Sequence, residues 1–305
     1  MIEMENITKT YADGLQALKG VSIALDRGMF GLLGHNGAGK TTFLSILVLG
    51  LEPTSGRRVY DGLDAASRRA RSEIRRRIGY LPQDFAPIGH LTGREYLTHC
   101  ARLREVPLGR AALRRRVSEL IEGVGLERAA DRRAGEYSGG MKRRLGIAQA
   151  ILHSPRLLVV DEPTAGLDPE ERIRFRSLVT EVAESTTVLL STHIVEDVEA
   201  TCPRLGVIAG GTMLFDGSPT ELLRRAAGKL WQVPAGAPLP AEAVEVTLRA
   251  DRLGGIERVV FHDGPVAGGV PRPPTLEESY SAFLALQGVA APVSPDETPP
   301  METAA

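Results

Sequence analysis

The sequence predicts an α/β fold built on a buried sheet whose strands end in polar loops. Three apolar segments carry this prediction, at residues 29–33, 157–160 and 189–190. A glycine-rich loop and a helical segment follow the first, two acids follow the second, and Ser-Thr-His follows the third. Strands buried on both faces read as continuous apolar runs. Because ligands bind outside the carboxyl ends of strands in open α/β sheets, these polar ends predict a functional site.

The glycine-rich loop at residues 34–42 reads Gly-His-Asn-Gly-Ala-Gly-Lys-Thr-Thr. It fits the phosphate-binding P-loop pattern G-x-x-x-x-G-K-[ST]. Glycines let backbone N–H groups curl around phosphate oxygens, and the following helix N-terminus adds positive potential. Lys40 is predicted to reach the β- and γ-phosphates, and the Thr41 hydroxyl is predicted to hold Mg²⁺. The predicted nucleotide-binding residues of the loop are Gly34, Asn36, Gly37, Ala38, Gly39, Lys40, Thr41 and Thr42.

Two adjacent acids, Asp161 and Glu162, end the second apolar segment. The pattern is that of a Walker B strand, in which the first acid holds magnesium through water. Glu162 is then placed to orient or deprotonate an attacking water molecule. Without the P-loop such a pair would often arise by chance.

Residues 137–144 read Tyr-Ser-Gly-Gly-Met-Lys-Arg-Arg and open a helical segment. This signature segment resembles the signature motif of ATP-binding cassette (ABC) ATPases. The family usually has Leu and Gln where this chain has Tyr137 and Met141. Ser138, Gly139 and Gly140, the residues that the resemblance assigns to phosphate contact, are retained. In isolation, Ser-Gly-Gly more often forms a flexible turn.

The resemblance extends over about residues 1–225, with further family landmarks in the expected order. It implies that Gln83 senses Mg²⁺ and water, and that Asp168 belongs to the D-loop beside nucleotide. It also implies that His193 contacts the γ-phosphate and that Tyr11 stacks on adenine. Taken singly, these residues have plainer interpretations: a solvated loop amide for Gln83, a structural histidine for His193 and a sheet-packing aromatic for Tyr11.

The elements of residues 1–225 follow from local patterns. Short strands with a turn at residues 12–14 are expected in the first 25 residues, and another strand is expected around 58–60. Helical periodicity runs through about residues 85–150, where the family has a helical subdomain. Pro169 and the acids after it predict a helix start. A Gly210-Gly211 turn predicts a hairpin.

The C-terminal part predicts an accessory extension over residues 226–289. It holds strand-like pieces at 245–248 and 256–261, and an amphipathic helix from Thr275 with capping-box spacing to Glu278. This helix resembles the C-terminal helix of ABC ATPases that serve drug- or lipid-export permeases. The Pro-rich residues 290–305 are expected to be disordered. An arginine cluster at 67–77 reads as a solvated helix face, with a membrane- or partner-facing patch as the alternative.

Composition limits the partners and the compartment. Lys plus Arg number 37 and Asp plus Glu 38, so no basic surface predicts nucleic-acid binding. Cys100 and Cys202 have no metal or disulfide spacing, which favours a reducing compartment. The acidic, polar first residues do not predict a signal peptide. The longest apolar run, residues 43–51, is far short of the ~20 residues that cross a bilayer.

The sequence therefore predicts a P-loop α/β core of the ABC type with an N-terminal antiparallel β-subdomain, a helical subdomain and a small C-terminal extension. The predicted function is an ATP- and Mg²⁺-dependent transport ATPase, with export favoured. The expected partners are an integral membrane permease, at the cytoplasmic face of the membrane, and a second ATPase chain, identical or not, arranged head to tail.

Two other classes stay open at this point. A soluble ABC ATPase acting in translation or DNA repair is disfavoured, since the chain has one P-loop and no long coiled coil before Ser138. A regulatory module without hydrolysis is disfavoured by the intact Lys40, Asp161, Glu162 and His193.

Overall fold

The structure of the protein is a computed structural model that describes residues 1–250 and 256–289. The described chain divides into two compact units, Met1–Gly217 and a unit that begins at Ser218. The tail predicted to be disordered, residues 290–305, lies outside the described residues. Among the helices of the described ranges, none has the length and apolar character that crossing a membrane requires.

The strands of the described residues are β1 (Ile2–Thr10), β2 (Gln16–Leu25), β3 (Gly28–Leu33), β4 (Ser55–Tyr60), β5 (Leu63–Asp64), β6 (Ile78–Leu81), β7 (Leu157–Asp161), β8 (Thr187–Thr192), β9 (Arg204–Ala209), β10 (Thr212–Gly217), β11 (Leu230–Pro234), β12 (Val244–Ala250), β13 (Ile256–Phe261) and β14 (Val270–Pro271). The α-helices are α1 (Lys40–Leu47), α2 (Arg68–Arg75), α3 (Gly93–Leu103), α4 (Arg110–Gly123), α5 (Gly139–Ile151), α6 (Pro169–Ala183), α7 (Val195–Thr201), α8 (Pro219–Ala226) and α9 (Leu276–Leu286). Two short 3₁₀ helices lie at Glu127–Ala129 and Ala134–Glu136.

The central sheet of the first unit has the strand order β10-β9-β3-β8-β7-β6. Neighbouring strands are parallel except for the β9–β10 hairpin, which is antiparallel. Every residue of β7 and β8 is buried, which explains the apolar runs of the sequence. Because β3, β8 and β7 are parallel neighbours, the loops that follow them meet at one edge of the sheet.

A second sheet, with the order β2-β1-β4-β5, is antiparallel and confirms the predicted N-terminal β-subdomain. Its apolar residues share one core with α1 and the central sheet, as the packing of Met4 and Leu18 with Phe43 and Val159 illustrates. Helix α1, which directly follows the glycine-rich loop, is anchored by this core.

The predicted helical subdomain is formed by α3, α4 and α5. They pack around a separate core that includes Tyr96, Leu97, Val117 and Leu145. Helix α5 begins directly after Ser138, whose hydroxyl oxygen accepts a hydrogen bond from the Met141 N–H at 3.2 Å. The local sequence therefore places the signature segment at a helix N-terminus, since serine is a preferred N-cap.

The second unit contains α8, α9 and an antiparallel sheet with the order β12-β13-β11-β14. Both predicted strand pieces lie within β12 and β13. Helix α9 has both hydrogen bonds of the predicted capping box, from Glu278 N–H to Thr275 Oγ1 and from Thr275 N–H to Glu278 Oε2. Helix α8 was not predicted, although Ser218 and Glu221 form the same kind of capping box.

Candidate nucleotide-binding site

The loop between β3 and α1 needs glycine for two physical reasons. Gly37 and Gly39 have φ values of 81° and 103°, in the left-handed region that other residues rarely adopt. A Cβ atom on Gly39 would also lie 2.8 Å from the Ala17 carbonyl oxygen. One on Gly34 would lie 2.6 Å from the Ile208 carbonyl oxygen. The glycine spacing of the motif is thus set by backbone geometry and close packing.

Lys40 begins helix α1, and its side chain is buried at the carboxyl edge of the sheet. Its ammonium group donates to the Gly34 carbonyl and lies 3.4 Å from the His35 carbonyl oxygen. It also lies 3.1 Å from Glu162 Oε1, and both side chains of this ion pair are 6% exposed. The pair brings together two residues that the sequence predicted separately for phosphate binding and for water activation.

Glu162 follows β7 and is held from two sides. Its N–H donates to the Ser191 carbonyl at 2.9 Å. The other carboxylate oxygen, Oε2, lies 2.7 Å from His193 Nδ1, which donates to it in the tautomer that carries the proton there. The register of the sheet explains this meeting, because Asp161 of β7 pairs with Ser191 of β8. Glu162 and His193 therefore leave neighbouring strands side by side.

Asp161 is 2% exposed, and its Oδ1 accepts no hydrogen bond within the described part of the chain. Burial raises the pKa of this carboxyl above its usual range, against weaker opposing effects of the Ser191 hydroxyl and the Lys40 charge. A buried carboxylate oxygen without a donor is costly unless something else binds it. The residue therefore suits a cation or its bound water.

Tyr11 lies beside the glycine-rich loop. Its hydroxyl is 3.1 Å from Thr42 Oγ1, and the residue is 38% exposed. Lys9 Nζ lies 5.5 Å from the ring centroid. The structure thus brings an accessible aromatic ring to the loop, whereas Thr41, the predicted magnesium ligand, is solvent-exposed at the start of α1.

Ser138 and Gly139 are exposed, and Gly140 is buried against Glu171. No hydrogen bond or ion pair in the described ranges joins Ser138 to Lys40, Glu162 or His193. Ser138 and Gly139 thus face solvent and are not bonded to the cluster of Lys40, Glu162 and His193. Their contact with phosphate stays a prediction.

Gln83 lies in the loop that follows β6, and Asp168 lies directly before α6. Gln83 is exposed, and its amide makes no hydrogen bond to another described residue. The Asp168 carboxylate accepts a hydrogen bond from the Glu171 N–H at 2.8 Å and caps α6. Asp168 therefore stabilises the start of α6, and its place beside nucleotide stays a prediction.

One charged cluster near the site was missed at the sequence level. Asp197 of α7 is fully buried and accepts hydrogen bonds from the Thr164 hydroxyl and from Arg176 Nε, the latter at 2.8 Å. It connects the segment after Glu162 with the helix after His193. The sequence around Asp197 does not predict these contacts, because its partners Arg176 and Thr164 lie 21 and 33 positions away in the chain.

The fold and site define a P-loop ATPase, and comparison with known proteins gives its family. A family model of ABC transporters matches residues 18–165. The chain is 39% identical over 223 residues to the ABC transporter ATP-binding protein YxlF of Bacillus subtilis (strain 168), covering 73% of this chain and 72% of that protein. It is 38% identical over 231 residues to the linearmycin resistance ATP-binding protein LnrL of the same strain, covering 75% and 72%.

Solved structures agree with this result. Two dimeric structures of the bacterial ABC transporter cassette MJ0796 each match with a TM-score of 0.65, covering 72% of this chain and 98% of the cassette. Their sequences are 27% and 26% identical to this chain, and one is a post-hydrolysis state bound to ADP and Pi. The chain belongs to the ABC transporter ATP-binding proteins. It is a nucleotide-binding ATPase of the transport type, and the predicted family, fold and enzyme class are confirmed.

Proposed function

We propose that this chain hydrolyses Mg²⁺-ATP as a head-to-tail dimer and thereby drives export through a separate membrane permease, from the cytoplasmic face of the membrane. One observation carries the proposal. Lys40, Glu162 and His193 form a connected cluster at the carboxyl edge of the sheet, whereas Ser138 is exposed and no hydrogen bond or ion pair of the described residues joins it to this cluster. The chain thus holds both parts of a two-chain site, with the second part free for a partner.

The Lys40–Glu162 pair suggests how ATP binding prepares hydrolysis. A triphosphate in the glycine-rich loop offers Lys40 a stronger anionic partner than one carboxylate. The ammonium then leaves Glu162 Oε1 for the phosphate oxygens, and Oε1 becomes free to accept a proton from water. Oε2 stays bound to His193, which fixes the carboxylate. The site therefore becomes competent as the phosphates enter it.

The residues present fit Mg²⁺. Asp161 would hold it through water with its unpartnered Oδ1, and the Thr41 hydroxyl and the Gln83 amide would complete the protein ligands. When bound, Mg²⁺ neutralises charge on the phosphates. His193 is 48% exposed in its side chain, so its free ring edge can face the γ-phosphate.

The dimer follows from the exposed signature segment. In a head-to-tail pair, Ser138 and the N–H groups at the start of α5 would bind the γ-phosphate held by the other chain's glycine-rich loop. The dimeric state of the related cassette MJ0796 supports this arrangement.

Export is supported by the relative LnrL, whose name refers to linearmycin resistance, and by the C-terminal helix α9. ATP-driven removal of a compound is a direct route to resistance.

The test of hydrolysis and dimerisation is Glu162→Gln, which keeps size and hydrogen bonding but cannot accept a proton. Its kcat should fall by about 10²-fold or more, within the range of general-base catalysis. Gel filtration with Mg²⁺-ATP should show a dimer, while Mg²⁺-ADP and ATP with EDTA leave a monomer. The wild type under the same conditions is the control. Unchanged turnover in Glu162→Gln would remove the role assigned to this carboxylate.

The permease is tested by reconstitution. The chain is co-expressed with each multi-span membrane protein whose gene is found next to its own, and any complex is placed in vesicles. Vanadate-sensitive ATPase activity and movement of a labelled substrate should both depend on Glu162. ATPase activity indifferent to every such membrane protein would favour the soluble alternative.

A further inference from the structure

Glu162 has a backbone conformation that costs energy. Its φ is 45°, in the left-handed region that a non-glycine residue adopts only when surrounding contacts enforce it. The residue is also 4% exposed, so these contacts are protein groups. Since the direction of the carboxylate depends on this backbone angle, whatever enforces the angle also aims the carboxylate.

Arg143 supplies such a contact from helix α5. Its Nη1 donates to the Glu162 carbonyl at 2.8 Å, and its Nη2 donates to the Ala165 carbonyl at 3.2 Å. One planar guanidinium thus spans both ends of the segment 162–165, which includes Glu162 itself. A planar fork of donors fixes two acceptors in a way that a single ammonium cannot.

The environment of Arg143 strengthens this contact. The side chain is partly buried, and burial lowers the pKa of its guanidinium, while Asp84 and Glu162 act in the opposite direction. Even so, an arginine remains charged in a protein. Charge-assisted hydrogen bonds in partly desolvated surroundings are stronger than those in water.

The neighbouring arginine has a different task. Arg144 donates to the Val124 and Gly125 carbonyls and to Glu171, all outside the segment 162–165. The two arginines that end the signature segment therefore point to different parts of the molecule. The contact with the catalytic segment belongs to Arg143.

We propose that Arg143 is a positioning residue that holds Glu162 in its catalytic conformation, and that it couples helix α5 to water activation in the same chain. This rests on the proposed role of Glu162. Ser138 is the N-cap of α5. Binding of Ser138 to the nucleotide of the partner chain would therefore affect Glu162 through helix α5 and the Arg143 side chain. Arg143 thereby connects one site of the dimer with the catalytic base of the other.

The first variant is Arg143→Met, which keeps the aliphatic length and removes the donors. A misplaced carboxylate should lower kcat by about 10- to 100-fold, with the KM for ATP changed by less than about 3-fold. Gel filtration with Mg²⁺-ATP should still show a dimer, as for Glu162→Gln, because the glycine-rich loop and Ser138, Gly139 and Gly140 are unchanged. The kcat of Arg143→Lys, whose ammonium group can reach one carbonyl at a time, should lie between those of the wild type and Arg143→Met.

The matched control is Arg116→Met. Arg116 also donates to two backbone carbonyls, those of Ile151 and Leu152, within the helical subdomain. This variant loses comparable contacts away from Glu162, so its thermal stability can fall while its kcat at 25 °C stays within about 2-fold. If Arg116→Met lowers kcat as much as Arg143→Met, the effect is general loosening and the proposal fails.

Two further results would overturn the proposal. An Arg143→Met protein that binds ATP but forms no dimer would mean that Arg143 acts through Ser138. A normal kcat would mean that the contact is only structural. If near-UV circular dichroism shows that Arg143→Met is poorly folded, the kcat and the dimerisation of Arg143→Lys test the proposal instead.

The double variant removes the remaining ambiguity. In a Glu162→Gln background, Arg143→Met should change the residual rate by less than about 3-fold, since the carboxylate that it positions is absent. A full multiplicative loss would contradict the proposal. If Glu162→Gln itself hydrolyses ATP normally, the proposed function fails first, and this result is distinct from a failure at Arg143.

Discussion

At the scale of single residues, the buried pair of Lys40 and Glu162 is the electrostatic centre of this ATPase. Each charge is almost completely removed from water and depends on the other. Breaking such a pair is costly because it leaves one buried charge without a partner, whereas replacing both members is often nearly neutral. The pair therefore makes predictions for stability as well as for nucleotide binding.

Lys40→Met should lower the free energy of unfolding by about 3 kcal/mol, because Glu162 keeps only His193 as a close partner. ATP affinity and hydrolysis should fall as well, since the variant lacks the ammonium group that is proposed to bind the phosphates. Urea unfolding and nucleotide titration measure the two effects. The double variant Lys40→Met/Glu162→Gln should regain much of the stability and none of the ATPase activity. A double variant as unstable as Lys40→Met would show that the pair is not the cause.

Gly39→Ala tests the shape of the loop. The new Cβ would meet the Ala17 carbonyl oxygen at 2.8 Å, in a backbone with φ near 103°. The backbone must shift, at a cost of about 1–3 kcal/mol, and the N–H groups that are proposed to bind phosphate shift with it. ATP binding, followed by fluorescence titration, should weaken by at least 10-fold. Gly123→Ala, in an open helical position, is the control and should bind normally.

At the scale of elements, the ends of parallel strands and the starts of helices build the site. Strands β3, β7 and β8 deliver the glycine-rich loop, Glu162 and His193 to one edge, and α1 and α5 begin at Lys40 and directly after Ser138. A further contact, between the end of α5 and the start of β6, stabilises the fold and lies outside the candidate site. His153, two residues after α5, lies 3.1 Å from the Ile78 carbonyl oxygen at the start of β6.

This contact predicts a pH dependence of stability. Burial, together with the Arg104 charge, lowers the pKa of His153 to about 4, below the ~6.5 of an unfolded chain. The unfolded state therefore binds more protons between these values, and stability is complete above pH 6.5 and falls as the pH drops towards 4. After allowance for partial exposure, the loss from pH 7 to pH 5 is about 1 kcal/mol.

His153→Gln removes the titration and keeps a donor for the Ile78 carbonyl. Its unfolding free energy, measured in urea at pH 7 and pH 5, should lose about 1 kcal/mol less than that of the wild type over this interval. All other titrating groups are shared by the two proteins. Equal losses would assign the pH dependence to other residues.

At the scale of the whole molecule, the proposed function depends on the separation of Ser138 from the cluster of Lys40, Glu162 and His193, since no hydrogen bond or ion pair of the described residues joins them. The glycine-rich loop with its catalytic residues forms one part of the proposed site, and the exposed signature segment forms the other. In the proposed head-to-tail dimer, two chains would complete two sites.

The separation predicts complementation between dead variants. Ser138→Arg should bind ATP as a monomer but neither dimerise nor hydrolyse, and Lys40→Ala should fail at ATP binding. In a mixed dimer, one site carries both lesions and the other carries none. ATPase activity should therefore partly recover when the two proteins are mixed, as phosphate release measures. Each protein mixed with itself is the control. Loss of monomeric ATP binding in Ser138→Arg would place Ser138 in its own chain's pocket and contradict the model.

The fold class and most elements of the first unit could be predicted because their signals are local. Alternation, apolar runs, caps and turn glycines lie within a few residues of one another, as at the Gly210-Gly211 hairpin and the Pro169 start of α6. The second unit was predicted less completely: β11, the two-residue β14 and helix α8 were missed. Short strands in a Pro- and Gly-rich segment show little periodicity, and their formation depends on pairing with strands that are distant in the sequence.

The sequence by itself determined the family and the chemical groups of the site, because a phosphate loop, an acid pair and a signature segment are each contiguous. Only the tertiary structure decided which groups meet. The order β3-β8-β7 brings Lys40, Glu162 and His193 together across more than 150 positions of the sequence, and α5 brings Arg143 to the Glu162 carbonyl. The strained φ of Glu162 and the buried Asp197 cluster likewise arise from packing between distant segments, on which short-range sequence patterns carry no information.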